Sequence, residues 1–300
     1  MSQDKHYDVI IAGSGPAGLQ AAIHAARKKV SVLLMGRIHK SSLWWAHVEN
    51  FCCLFKVTGE EMLNTGRQQA ENFGADLLEE DILELAQTGD GFRVTAESGQ
   101  DYTCSALVLA TGTTRNKLGV PGEKELLGKG VSYCVECDAG FYRDQQVVIA
   151  GGASAAAGGA VTMSQYASKV HLVAEELEIA DSLRQRMIDA GVTLHENTSV
   201  EAIHGENAVE NVKLANGETI PAQGLFIELG AKGVMELAMA LGLQLDENMR
   251  YIETDKQQRT SIPGAFAAGD ICGPPLQMAK AVGEGCVAGV EAAKFVKKLG

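Results

Sequence analysis

Aromatic side chains are scarce in this chain, at 5% of 300 residues, and there are only 6 prolines. Glycine, by contrast, is abundant at 34 residues, a balance that suits a glycine-loop α/β protein better than an all-β one. Positive charge is in deficit, with 26 Lys and Arg against 38 Asp and Glu and a net charge of −12. That deficit argues against binding nucleic acid or an anionic membrane surface, while leaving an acidic surface able to steer a protein partner. No apolar run approaches the roughly 18 residues of a spanning helix. The segment Met1–His6 leads straight into a strand with no signal-like stretch, so the expected compartment is cytoplasmic. The 7 cysteines are odd in number and irregularly spaced, unlike a secreted disulfide framework. There is one Cys-x-x-Cys and no second one, nor a histidine cluster, so a four-ligand metal site is not expected.

Two glycine loops stand out. Val9-Ile10-Ile11-Ala12 runs into Gly13-Ser14-Gly15-Pro16-Ala17-Gly18, and Val147-Val148-Ile149-Ala150 runs into Gly151-Gly152-Ala153-Ser154-Ala155-Ala156. Each reads as a strand, a tight turn and a helix start, the pattern that presents backbone N–H groups to a pyrophosphate. In the first loop Gly13 permits the turn, Gly15 lets the backbone approach phosphate, and Gly18 allows close helix–strand packing. Between the loops lies Cys134-Val135-Glu136-Cys137-Asp138, whose spacing lets two sulfurs cycle between dithiol and disulfide. Together these describe an electron relay from one nucleotide to another and on to a disulfide.

The order of elements repeats. A β-α-β unit, a meander (Ile82–Gln87, Phe92–Glu97, Tyr102–Ala106) and a separate buried strand (Leu107–Ala110) fill the first third of the chain. A second β-α-β unit, meander and buried strand (Leu225–Glu228) follow from Val147. The tail has no dinucleotide loop of its own and is expected to complete the first domain. The fold class expected is α/β, with two Rossmann-like dinucleotide-binding domains, one inserted in the other.

With these residues in view, the chain resembles the low-molecular-weight thioredoxin reductases over essentially its whole length. The resemblance rests on Gly13–Gly18, Val48-Glu49-Asn50-Phe51, Ala110-Thr111-Gly112, Cys134-x-x-Cys137-Asp138 with Phe141-Tyr142, and Ser261–Asp270. It implies an FAD domain at 1–114 and 241–300 and a nicotinamide-type domain at 115–240 that carries the cysteines. It further implies a homodimer, a thioredoxin-like protein as partner, and a domain rotation that turns the flavin from nicotinamide to the cysteine pair. Carried over by position, the FAD contacts are Gly13, Gly15, Pro16, Ala17, Gly18, Asn50, Ala110, Thr111, Gly112, Gly269, Asp270, Met278 and Ala279. Cys137 would receive electrons from the flavin, Cys134 would attack the partner disulfide, and Asp138 would exchange the proton of the departing thiolate.

The departures bear on the electron donor. Lys40-Ser41-Ser42-Leu43 replaces the family's Gly-Gly-Gln-Leu, Cys52-Cys53 replaces Pro-Gly, and Gln277-Met278-Ala279 replaces Arg-Gln-Ala. Gly158-Gly159 stands where two helix glutamates are usual. NADPH-using relatives hold the 2′-phosphate with arginines after the strand that follows the second loop; here that strand ends in Ala174-Glu175-Glu176. The expected donor is therefore NADH, held by Gly151, Gly152, Ser154 and Ala155, with Glu175 or Glu176 on the ribose. Reduced ferredoxin as donor is the alternative. A flavoprotein electron carrier or redox sensor is the reading from a different class. Cys52 and Cys53 stay open between packing and a redox role.

Overall fold

The computed structural model describes residues 5–112, 117–133, 135–229, 234–247 and 249–299, without the side chains of 47, 136, 137, 234 and 235. Two compact units emerge: residues 1–96, 100–113 and 237–300 form one, and 97–99 with 114–236 the other.

In the first unit β1 (Lys5–Ala12), α1 (Pro16–Ala26) and β2 (Val32–Met35) make the opening β-α-β turn. A small antiparallel ribbon, β3 (His47–Val48) with β4 (Val57–Thr58), leads into α2 (Gly59–Asn72). Thr58 and Glu61 close a capping box at the start of α2, where Thr58 holds the Glu61 carboxyl below its ordinary range. Then come β5 (Ala75–Leu78), β6 (Ile82–Thr88), β7 (Gly91–Ala96) and β8 (Asp101–Leu109). The sheet runs β5-β2-β1-β8-β7-β6. Val9–Ala12 and Val32–Met35 are buried throughout, as strands covered on both faces must be.

One boundary differs from the sequence expectation. Tyr102–Ala106 and Leu107–Leu109 are not two strands but one, β8, paired in parallel with β1 from Lys5↔Tyr102 to Ala12↔Leu109. Its first half also pairs antiparallel with β7. No glycine or proline interrupts 101–109, so nothing breaks the strand. In this unit the meander is an extension of the main sheet.

The second unit contains β9 (Val131–Ser132), α3 (Val135–Asp138), β10 (Gln146–Ala150), α4 (Ser154–Met163), β11 (Lys169–Ala174), α5 (Asp181–Asp189) and β12 (Thr193–Glu196). β13 (Val200–His204), β14 (Asn211–Leu214), β15 (Thr219–Pro221) and β16 (Gly224–Ile227) complete it. The parallel sheet has the order β12-β11-β10-β16-β9, and β13-β14-β15 is a separate antiparallel sheet. Val148, Val173 and Leu225 of the first pack with Val200, Val212 and Ile220 of the second in one core. Gly159 in α4 has a packing reason: a Cβ there would lie 3.0 Å from Val135 Cγ2, so its absence lets α3 lie close.

His171 on β11 and His195 on β12 share a hydrogen bond, Nδ1 to Nε2 at 2.9 Å, and His195 Nδ1 lies 3.2 Å from Glu218 Oε2. His171 is 5% exposed, and its Nε2 has no partner. Burial, then the charge of Lys169 and the neighbouring His195, push its pKa down to about 4, with Glu218 opposing. The folded state therefore prefers neutral His171, whereas the unfolded chain takes up a proton near pH ~6.5. Stability is fully present above that pH and falls as the pH drops toward 4, by about 3 kcal/mol at most. Urea unfolding from pH 7.5 to 4.5 should show this slope, and His171→Leu should flatten it relative to the parent; an unchanged slope would refute the assignment.

The tail adds α6 (Val234–Leu241), β17 (Ala265–Ala267) and α7 (Met278–Leu299). β17 joins the first sheet in parallel beside β8, from Ala265↔Leu107 to Ala267↔Leu109. α7 lies against α1 at backbone distance: a Cβ on Gly285 would sit 2.1 Å from Ala17 O, and one on Gly289 2.2 Å from Ala21 O. Among the described residues no helix is long and apolar enough to cross a membrane.

Candidate cofactor and redox sites

The carboxyl ends of β1, β8 and β17 converge on one place, where open α/β sheets bind ligands. Ala110 N donates to Ala12 O at 2.7 Å, and Ala268 N donates to Leu109 O at 2.9 Å. Gly13, with φ of 109°, has no room for a side chain, since a Cβ would lie 2.4 Å from Ala110 O. A Cβ on Gly18 would likewise lie 1.7 Å from Gly13 O, so these two glycines serve the turn and its packing. Gly15 is different: a Cβ there would meet only Ser41 Oγ, at 3.4 Å. The fold leaves space at Gly15 that a ligand can use.

Gly15 is also the N-cap of α1, in extended conformation, with no side-chain cap and no acidic residue in the first turn. The first N–H groups of a helix have no partner within it, and an anion satisfies them and the helix dipole together. Beside the loop, Thr111 Oγ1 is buried without a hydrogen-bond partner. An open cradle, an uncapped helix start and an orphaned hydroxyl fit a dinucleotide pyrophosphate.

The other positions expected to contact FAD gather at the same end of this unit. Asp270 opens a short 3-10 turn, Asp270–Cys272. Burial raises its carboxyl, with Lys280 opposing and Glu284 adding to the rise. Lys280 and Glu284 hold this turn from α7. Lys280 Nζ donates to Gly269 O at 2.8 Å and Gly273 O at 2.6 Å, and Gly269 N donates to Glu284 Oε2 at 2.8 Å. The sequence reading missed both residues, although their i, i+4 spacing on α7 was visible. Asn50 Nδ2 donates to Gln277 Oε1 at 3.0 Å, which brings Asn50 to the start of α7, where Met278 and Ala279 lie.

In the second unit the ends of β10, β11 and β16 meet in the same way. A Cβ on Gly151 would lie 2.1 Å from Glu228 O, and one on Gly152 1.9 Å from Glu176 O. Glu178 N donates to Gly152 O at 2.7 Å, so the turn that follows β11 is seated on the loop. Glu175 and Glu176 are exposed. Ala153, Ser154 and Ala155 are buried, which makes this loop more enclosed than the first.

Of the cysteine pair, Cys134 and the side chain of Cys137 lie outside the described residues. Cys137 belongs to α3, and Asp138 ends that helix half-buried, near enough to Tyr142 to raise its phenol further after burial has done so. The buried carboxylate of Glu228 accepts from Val135 N at 3.1 Å, tying the start of α3 to the end of β16. Sequence reasoning read Glu228 as the end of a strand, and nothing local signals its link to a residue 93 positions away. Phe141, three residues past Asp138, is 79% exposed.

Comparison with known proteins places this geometry. The family model for pyridine nucleotide-disulphide oxidoreductases matches residues 7–285. The thioredoxin reductase of Bacillus subtilis is 35% identical, covering 100% of this chain and 98% of its own length. That of Listeria innocua is also 35% identical, covering 99% and 96%. Among solved structures, the atypical thioredoxin reductase TRi from Desulfovibrio vulgaris Hildenborough superposes with a TM-score of 0.82 at 36% identity, covering 97% of this chain and 98% of that one. A ferredoxin-flavin thioredoxin reductase from Clostridium acetobutylicum gives 0.71 at 30% identity, covering 99% of each chain. The chain belongs to the pyridine nucleotide-disulphide oxidoreductases and, within them, to the thioredoxin reductases. It is a flavoprotein oxidoreductase with the mixed α/β fold and parallel sheets of that family.

Proposed function

We propose that this enzyme reduces the disulfide of a thioredoxin-like protein with electrons from NADH, by way of FAD and the Cys134–Cys137 pair, as a homodimer. FAD is assigned to the 1–114 and 241–300 segments and the nicotinamide nucleotide to 115–240. The observation that carries the NADH assignment is the acidic turn after β11, whose backbone at Glu176 and Glu178 contacts the second glycine loop. Relatives named as thioredoxin reductases along the full length support the partner.

FAD, when bound, supplies the two-electron chemistry that links a nicotinamide to a disulfide. The residues to hold it are Gly13, Gly15, Pro16, Ala17 and Gly18 at the pyrophosphate, with Ala110, Thr111, Gly112 and Gly269 around it. Asp270 is assigned to the sugar hydroxyls, and Asn50, Met278 and Ala279 to the ring. Gly15→Val should place a branched side chain in the open cradle and cut flavin retention at least about 10-fold. The ratio of flavin to protein absorbance after gel filtration reads this, and full retention would remove Gly15 from the site.

The dithiol works by exchange. The Cys134 thiolate attacks one sulfur of the partner disulfide, forming a mixed disulfide and releasing a partner thiolate, to which Asp138 relays the proton of the Cys137 thiol, leaving Cys137 as the thiolate. The Cys137 thiolate then attacks the Cys134 sulfur, releasing the second partner thiolate and closing the Cys134–Cys137 disulfide. Exposed Phe141, three residues past Asp138, gives a protein partner an apolar contact.

Reduced ferredoxin as donor is the second reading. The enclosed second loop, with Ala153 in place of a glycine, favours it, as does likeness to the Clostridium acetobutylicum structure. Anaerobic titration of the oxidised protein separates the two: loss of flavin absorbance on adding NADH supports the first, and loss only with reduced ferredoxin the second.

A further inference from the structure

We propose that Cys52 and Cys53 form a binding site for trivalent, thiophilic metalloids of the arsenite type, separate from the Cys134–Cys137 pair. Leu54 N donates to Phe51 O at 3.1 Å, and Cys53 has φ of 72° while Cys52 does not have positive φ. These features define a type II turn with Cys52 and Cys53 at its two central positions. Such turns favour proline and then glycine there, because the second position needs positive φ. Here a β-carbon is accepted at that strained place, and the two side chains it brings together are thiols. Both cysteines are exposed, and their sulfurs lie 3.4 Å apart.

A direct disulfide fits this pair poorly. Adjacent Cα atoms are ~3.8 Å apart across a trans peptide, short of the ~4.4–6.8 Å usual for a disulfide. Zinc also fits poorly. With Zn–S near 2.3 Å, a 3.4 Å separation sets an S–Zn–S angle of about 95°, well below tetrahedral. Among the described residues no third His, Cys, Asp or Glu joins the two into a metal cluster. A trivalent metalloid matches both facts: it is pyramidal, needs two thiolates from the protein, and carries its third substituent itself. The reaction is a condensation without change of oxidation state. Each thiol sulfur forms a bond to arsenic, each arsenic–oxygen bond that breaks takes up the thiol protons, and water leaves.

Two of the other thiols do not compete, and Cys286 is a single thiol that cannot supply both bonds. Burial pushes Cys104 and Cys272 up to about 12, so neither offers a thiolate near neutral pH. The test uses the full-length flavoprotein carrying Cys134→Ser and Cys137→Ser, reduced and freed of reductant under nitrogen, with phenylarsine oxide and arsenite as probes. One equivalent of phenylarsine oxide should block two fast thiols against dithionitrobenzoate, and a dithiol but not a monothiol should reverse it. Cys52→Ser should weaken binding at least about 100-fold, because the second bond is then no longer intramolecular. Adding Cys52→Pro and Cys53→Gly keeps the turn, so this protein should retain its melting temperature and lose the arsenical. Equal binding with and without Cys52 and Cys53 would overturn the proposal, and so would finding the pair already joined as a disulfide in the reduced protein.

Discussion

Serine in place of Cys137 should lower the rate of thioredoxin reduction at least about 10³-fold while the flavin stays bound, and Cys134→Ser should do the same. Either change leaves one thiol, and one thiol cannot carry the two-step exchange to completion. A hydroxyl is no substitute, since its proton is not lost near neutral pH and it cannot form a sulfur–sulfur bond. The two variants should differ in one readout. Only the one that keeps Cys134 should trap the partner as a stable mixed disulfide, visible on a non-reducing gel. Cys104 and Cys272 give no bypass through the core, because burial holds them up to about 12. Near-normal rates in both variants would move the relay to other thiols, with the exposed pair Cys52 and Cys53 first. Flavin loss in either variant would instead mean that α3, capped by Glu228, carries structural weight beyond its cysteine.

How much of this was legible in the sequence depends on range. The two glycine loops were readable because each is a local pattern of a strand, a turn and a helix start. The continuity of β8 was not, because the residues that pair with its first half also look like a free-standing meander. Glu228 is an ordinary strand-end residue until Val135 is placed opposite it. Gly285 and Gly289 drew no attention in the sequence, yet they are where α7 meets the backbone of α1. Lys280 and Glu284 look like a surface ion pair, but their bonds to Gly269 and Gly273 make them the supports of Asp270. In each case the missing information was a partner distant in the chain. The turn at Cys52-Cys53 is the opposite: its sequence is unusual for a type II turn, and only the backbone angle shows that the turn is there.

The acidic turn after β11 gives the donor its test, because its charge bears on any 2′-phosphate that approaches. NADH should outperform NADPH in kcat/KM by about 10-fold or more, measured at equal ionic strength with the partner saturating. Glu175 and Glu176 are both exposed at the end of β11, and the backbone of Glu176 lies against Gly152. A 2′-phosphate approaching them meets like charge of up to about 4 kcal/mol per unit pair at ~4 Å in a surface-like dielectric, before screening and side-chain movement reduce it. One tenfold step needs only ~1.4 kcal/mol, so the preference survives a large reduction. An unphosphorylated ribose has no such charge, and a carboxylate at this strand end accepts from its 2′-hydroxyl. Raising the salt should narrow the gap, since it screens the repulsion and leaves the hydrogen bond. Reversing the charge with Glu175→Arg and Glu176→Arg should bring NADPH up at least about 10-fold and cost NADH its ribose contact. A clear NADPH preference in the unaltered enzyme would refute the charge argument. Failure of both nucleotides to reduce the flavin, with turnover restored by reduced ferredoxin, would instead assign the acidic turn to a domain whose nucleotide loop is closed.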